Sequence, residues 1–425
     1  MIRRRGIRCP GILYRTTLAA RYLSRSYTVP SSGRHQSEDR LRVLFCGSDE
    51  FSAFSLKALA KYATLPESNI KSIDVVTRKD KRAGRGLKSV RSPFIKSLTE
   101  ELQLPLHQID TFTGWTPPTY GQSSESANSI NLIIAVSFGL LVPPRILRSA
   151  AYGGINIHPS LLPRLKGAAP IQWTILNGCR TTGVSLQTLH ASKFDEGVVM
   201  DQIPVPIQEH STCTFNQLRD QLGPVGAELL IRGLRGKRYM SEDRPLEDTN
   251  PEQTSYAPKI KKQHAAINPA LHDSHQILRM QRALKNIWAH AQNVDGEPSR
   301  VLTHSVIGGA ALQKHLDLIP ATIRSTAASL PIGVPYGIVR GRRQPTQAGC
   351  APLFMNTTSG TLGINYLTIG GAPQGSALVS SARGRLLEGH AHTMNDSGEV
   401  YNIYKFRAPL RGEPDGLPTI DPEDQ

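Results

Sequence analysis

The sequence predicts an α/β chain: a doubly wound, mainly parallel sheet, followed by a smaller C-terminal β-barrel. Three observations predict it. Apolar runs alternate with segments of helical periodicity from residue 41 to about residue 240, the pattern of strand–helix–strand units in a parallel sheet. One run, SINLIIAVSFG (129–139), is apolar for long enough to be buried on both faces. Beyond residue 285 the pattern changes to short alternating segments with Gly-rich turns, such as YGIVRG and TLGINYLTIGG, which suit a small barrel.

The elements follow in order. LRVLFCGS (41–48) reads as a buried strand ending in a turn, and FSAFSLKALAKY (51–62) as a helix with Phe54, Leu56 and Leu59 among its apolar positions. SIDVVTR (72–78) is a second strand. SPFIKSLTEELQL (92–104) is a second helix, with Ser92 as N-cap and Pro93 at the first helical position. GGINIHPS (153–160) is a strand that runs into a loop; TGVSLQTLH (182–190) and VVMDQIPVPI (198–207) form a hairpin at the far edge. The segment 214–236 is helical, broken or kinked near Gly223-Pro224, and 272–285 is a further helix. These readings divide the chain into a catalytic domain (38–240), a linker rich in Pro and acids (241–254), a C-terminal domain (255–408) and a disordered tail (409–425).

Composition limits the function. Lys and Arg total 50 against 34 Asp and Glu, a net charge of +16, which favours an acidic partner, nucleic acid first. Residues 1–37 hold eight arginines, no lysine and no acid, with Ser and small apolar residues between; that is the composition of a mitochondrial transit peptide, and it predicts a matrix protein. Without those arginines the balance is 42 against 34, still +8. The five cysteines form no CxxC pair, against a zinc ribbon, a redox dithiol or a disulfide framework. No stretch reaches the roughly eighteen consecutive apolar residues of a membrane span. No membrane and no stable protein partner is implied.

One segment carries chemistry. In GGINIHPSLLPRLKGAAPIQW (153–173), Asn156 and His158 are two apart on an extended strand, so both face one way while Ile155 and Ile157 face the other. They stand at the C-terminal end of a strand, where open α/β sheets hold ligands. An amide donor beside an imidazole is poor core material and suits an oxyanion. Asp195, just before Gly197 and a new strand, is placed to fix the imidazole and favour its protonated form; capping a turn is the plainer use of such an Asp. In RKDKRAGRGLKSVRSP (78–93), seven of sixteen residues are basic, Lys81, Arg82, Arg85 and Lys88 among them, with Gly84 and Gly86 for mobility. Such a loop suits phosphates. It is not a P-loop, and CGSDEF after the first strand lacks the GxGxxG of a dinucleotide oxidoreductase.

Asn156-Ile-His158, then Ser160-Leu161-Leu162-Pro163, with Asp195 thirty-seven residues after His158, resembles the folate-dependent formyltransferases. SLLPRLKGAAPIQ (160–172), KRAGRG (81–86) and SYAPKI (255–260) resemble the members that formylate methionyl-tRNA. The likeness covers about residues 41–290; SVIGGAALQKHLDLIPATIRSTAASLPIG looks like added sequence. The resemblance implies a Rossmann-like catalytic domain with an OB-like barrel, 10-formyltetrahydrofolate as co-substrate, no metal, and initiator methionyl-tRNA as partner. It implies a catalytic triad at Asn156, His158 and Asp195, and a loop beside the pterin at Ser160, Leu161, Leu162 and Pro163. Arg85 falls on the loop arginine for the tRNA acceptor end; Lys81, Arg82, Lys88, Lys259, Lys261 and Lys262 are further tRNA-binding candidates. The alternative is a folate-dependent formyltransferase acting on a small amine, such as glycinamide ribonucleotide or an amino sugar, which leaves both basic regions without a use. A non-catalytic RNA-binding protein is disfavoured because all three triad positions are present.

Overall fold

In the computed structural model, β1 (Leu41–Gly47) opens a seven-stranded sheet, and every one of its residues is buried. The structure describes residues 40–412, apart from 120–128, 241–252, 294, 342–343, 348–350, 371 and 396. The transit segment, most of the linker and the tail from residue 413 therefore lie outside the described residues.

The first half continues with β2 (Ile70–Arg78), β3 (Lys81–Ala83), β4 (Ser89–Arg91), β5 (Leu106–Ile109), β6 (Leu132–Val136), β7 (Gly154–His158), β8 (Thr181–Thr188) and β9 (Val199–Pro206). Its helices are α1 (Glu50–Ala63), α2 (Phe94–Glu101), α3 (Pro144–Ser149), α4 (Pro170–Leu176) and α5 (Phe215–Arg235). The sheet order is β5-β2-β1-β6-β7-β8-β9. The first five strands are parallel, and β8 and β9 add an antiparallel hairpin at one edge, as the sequence predicts. Strand parity sorts the faces. Val43 and Phe45 pack with α1 and α5, whereas Leu44 and Cys46 pack with Phe138, Val142 and Ile146 around α3.

Three local readings need correction. Pro93 has extended backbone (φ −58, ψ 140) and is itself the N-cap of α2, so the helix starts one residue later and Ser92 does not cap it. The expected break in α5 is absent: the helix runs unbroken from Phe215 to Arg235 with Pro224 inside it. Gly223 serves packing instead, since a Cβ there would sit 2.3 Å from the Phe54 ring of α1. The basic loop is a short hairpin, β3 paired antiparallel with β4, joined by a 3-10 turn over Arg85–Leu87. Gly84 and Gly86, at φ 77 and 73, make that turn possible.

The second half holds α6 (Ser274–Leu284), β10 (Ile287–Gln292), β11 (Pro298–Ile307), α7 (Gly309–Leu316), α8 (Ala321–Ala328), β12 (Pro335–Arg340), β13 (Leu353–Thr357), β14 (Gly360–Ile369), β15 (Gly375–Ser376), α9 (Ala377–Arg383), β16 (Leu387–Met394) and β17 (Val400–Phe406). Its strands form an antiparallel half-barrel in the order β10-β11-β14-β13-β12-β17-β16, with β15 on β14. The segment read as added sequence folds as α7 and α8, which bury Leu312, Ile323 and Ala327 against the sheet. One cluster of buried side chains runs from the first sheet through Ile277 and Met280 of α6 into Ile287 and Val301 of the second. No helix of the described residues is long and apolar enough to cross a membrane.

Candidate active site

A cleft of about 350 Å³ opens at the C-terminal ends of the parallel strands. Sites for small organic molecules run from roughly 300 to 1,000 Å³. The segment after β6 supplies an apolar wall, with Phe138, Leu140, Leu141 and Val142. The turn after β8 supplies the opposite side, with Phe194 and Asp195.

Asn156 and His158 project from β7 into this cleft, while Ile155 and Ile157 are buried in the core on the other face. Both converge on Asp195. Asn156 Nδ2 donates to Asp195 Oδ1 over 3.4 Å, and His158 Nδ1 stands 3.3 Å from the same oxygen. The backbone N–H of Gly167 donates to the other oxygen, Oδ2, at 2.8 Å. The second ring nitrogen of His158, Nε2, lies 3.0 Å from the Leu165 carbonyl oxygen. The imidazole is therefore gripped at both ends, between a carboxylate and a carbonyl. With side-chain exposures of 6% for His158 and 9% for Asp195, water screens their interaction little.

Asp195 reaches its place through an unusual backbone. Its φ is 54°, a region that Asp tolerates better than most residues. Two residues on, a Cβ at Gly197 would lie 1.8 Å from the Thr188 carbonyl oxygen, so the turn closes on β8 only because that side chain is missing.

Gln187 is a member of the site that sequence reasoning missed. The antiparallel register sets it opposite Asn156, and its Nε2 donates to Asp195 Oδ1 at 2.9 Å. In the sequence it is only one alternating residue of a strand; the cross-strand pairing that gives it a role is not local. Asp49 was also missed. It lines the cleft and caps α1, accepting from Ser52 N at 3.0 Å. Burial pushes its carboxyl above the usual carboxylate range, against hydrogen bonds from Ser52 and Ser137 that pull it down.

Ser160, Leu161, Leu162 and Pro163 do not line the cleft; Pro159, Gly167 and Ala168 of the same loop do, with Pro170 at the start of α4. Ser160 and Leu162 are buried beneath it, stitched to β8: Leu162 N donates to Ser185 Oγ at 3.0 Å, and that hydroxyl donates to Ser160 O at 2.6 Å. Lys81, Arg82 and Lys88 stand exposed on the β3–β4 hairpin, with Arg85 in its turn. Lys259, Lys261 and Lys262 are exposed on the segment that leads into the second half. None of these six exposed side chains enters an ion pair among the described residues. Among those residues no group of three or more His, Cys, Asp or Glu is placed to hold a metal ion.

Residues 41–234 match the formyl transferase family. The mitochondrial methionyl-tRNA formyltransferase of Saccharomyces cerevisiae is 34% identical over 65% of this chain and 74% of its own length. The methionyl-tRNA formyltransferase of Chromohalobacter salexigens is 31% identical over 72% of this chain and 95% of its own. A solved sugar 3N-formyl transferase, WlaRD, aligns over 77% of this chain and 97% of its own at 16% identity and a TM-score of 0.44. A chain that shares this much sequence with such relatives along most of their length belongs to the methionyl-tRNA formyltransferases, within the formyl transferase family.

Proposed function

We propose that the protein transfers the formyl group of 10-formyltetrahydrofolate to the amino group of methionine on initiator methionyl-tRNA, in the mitochondrial matrix, for the start of translation there. The observation that carries the reading is the convergence of Asn156, His158 and Asp195 at one end of a ligand-sized cleft. The apolar wall of Phe138, Leu140, Leu141 and Val142 suits the flat face of a pterin ring, and the polar end then faces the formyl group.

The step balances as follows. The amine nitrogen bonds to the formyl carbon, and the carbonyl π pair moves onto oxygen. That oxyanion takes hydrogen bonds from the Asn156 amide and from His158, whose Nε2–H is shared between the Leu165 carbonyl, which keeps the ring in place, and the new acceptor. The bond from carbon to N10 of the folate then breaks. The proton lost by the amine passes through the Asp195 carboxylate, directly or by one water, and a proton returns to N10. Asp195 also orients the imidazole, and Gln187 with Gly167 orients Asp195.

The two exposed basic segments support a long polyanionic substrate over a small amine. The test is a formylation assay on purified protein with charged initiator tRNA, free methionine, glycinamide ribonucleotide and an amino sugar nucleotide as acceptors. Formyl transfer confined to methionyl-tRNA is the expected result; preference for a small amine would replace the reading by its alternative. For location, the acid-free, Arg-rich residues 1–37 and the mitochondrial yeast relative support import. A reporter carrying residues 1–40 is expected in mitochondria, shortened by cleavage, and a reporter left in the cytosol would refute this.

A further inference from the structure

SYAPKI (255–260) is used by nothing in the mechanism so far, yet it lies against the loop that holds the triad. Residues 255–258 run alongside residues 163–169, joined by an isolated parallel bridge between Lys166 and Tyr256 and by backbone hydrogen bonds on either side of it. Lys166 N donates to Ser255 O at 2.9 Å, Ala257 N donates to Lys166 O at 2.7 Å, and Ala169 N donates to Ala257 O at 3.1 Å. Trp173 Nε1, from α4, donates to Pro258 O at 2.8 Å. The fit is tight: a Cβ on Gly167 would come within 2.8 Å of the Ala257 carbonyl oxygen.

The stretch so braced contains both backbone groups that grip the triad. The Leu165 carbonyl faces His158 Nε2, and the Gly167 N–H binds Asp195 Oδ2. Leu165 is held at φ 56°, a conformation that a leucine adopts only when its surroundings impose it. From across the pairing the Ser255 side chain reaches this residue directly: its Oγ accepts from Leu165 N at 2.9 Å. That N–H and the carbonyl facing His158 belong to the same strained residue.

We infer that Ser255 is a positioning residue for the reaction: through Leu165 it fixes the ring of His158, so the segment entering the C-terminal half completes the active site instead of only connecting to it. The inference rests on the role proposed for His158. Ser255 touches no reacting atom; its effect passes through one backbone hydrogen bond.

The test uses the full-length protein and four variants: Ser255→Ala, Ser255→Thr, His158→Ala and the double change. Loss of one hydrogen bond on a strained, buried loop residue is expected to lower kcat by about tenfold. KM for the folate should stay close to wild type, because the folate wall is untouched, while the thermal midpoint falls by no more than a few degrees as the Leu165 N–H loses its acceptor. Ser255→Thr keeps the hydroxyl and should restore most of kcat. In the His158→Ala background, Ser255→Ala should add little further loss, since it acts through the missing ring. A wild-type kcat in Ser255→Ala, or a loss that repeats in full on top of His158→Ala, overturns the inference. Wild-type turnover in His158→Ala would instead overturn the function proposed for the triad, so the two failures are distinguishable.

Discussion

Asp195 Oδ1 is the point on which the site converges, with Asn156, His158 and Gln187 all directed at it. If the amide and the imidazole stabilise an oxyanion, each acts only in the transition state. Asn156→Ala, His158→Ala and Asp195→Ala are therefore expected to lower kcat by roughly 10²-fold or more. Folate affinity should survive, and single-turnover rates with equilibrium folate binding measure both. Gln187 allows a sharper prediction because stability and activity should part. Its Oε1 is buried without a hydrogen-bond partner among the described residues, which is unfavourable, while its Nε2 orients Asp195. Gln187→Leu removes both. Thermal stability should hold or rise while kcat falls by about tenfold, the worth of one charge-assisted hydrogen bond. A parallel fall in stability and rate would mean that Gln187 is simply packing.

The elements show which parts of this site were legible. The parity of Asn156 and His158 on β7 was readable because it is local: a period of two needs only the strand itself. Gln187 was not, because only the register of β8 on β7 sets it beside Asn156. The turn of Asp195 depends on Gly197 meeting the Thr188 carbonyl, a contact between segments. The hairpin of β3 and β4 read as a mobile loop because two three-residue strands leave too little periodicity to detect. Which of Ser160, Leu162 and Gly167 faces the cleft is likewise not local, since it is set by hydrogen bonds to β8 and to Ser255. Helix α1 adds a prediction of its own. Asp49 caps it, yet burial raises its carboxyl pKa, so folding favours the protonated form. The sign follows: the folded state is helped below the unfolded carboxylate range and loses that help as pH rises through the raised value. An asparagine in this cap position would accept the same hydrogen bond without the charge. Asp49→Asn should therefore raise the thermal midpoint near pH 7, with the gain shrinking as pH falls through the acid range. A midpoint lowered equally at every pH would show that the charge is not what burial opposes.

At the scale of the whole molecule, the net charge of +8 that remains beyond residue 37 includes two exposed clusters on different elements. Lys81, Arg82 and Lys88 stand on the β3–β4 hairpin, and Lys259, Lys261 and Lys262 stand on the segment just past the brace at Ser255. Like charges gathered without ion pairs among the described residues repel one another and gain little for folding, which leaves them available to an anionic partner. If they bind phosphates, each lost contact releases one fewer set of counterions, and the slope of log affinity against log salt should fall by about 0.7–0.9. The two clusters should then differ in kinetics. Lys261→Ala and Lys262→Ala remove anchoring charge only, so tRNA binding weakens while kcat is kept. Arg85→Ala, in the turn of the hairpin, should reduce kcat/KM more steeply, because a residue that guides the reacting end changes how often it meets the formyl carbon. Affinity and single-turnover rate measured across a salt series separate these outcomes. An unchanged slope in all three variants would mean that the clusters are solvated surface, and the long polyanionic substrate would lose its main physical support.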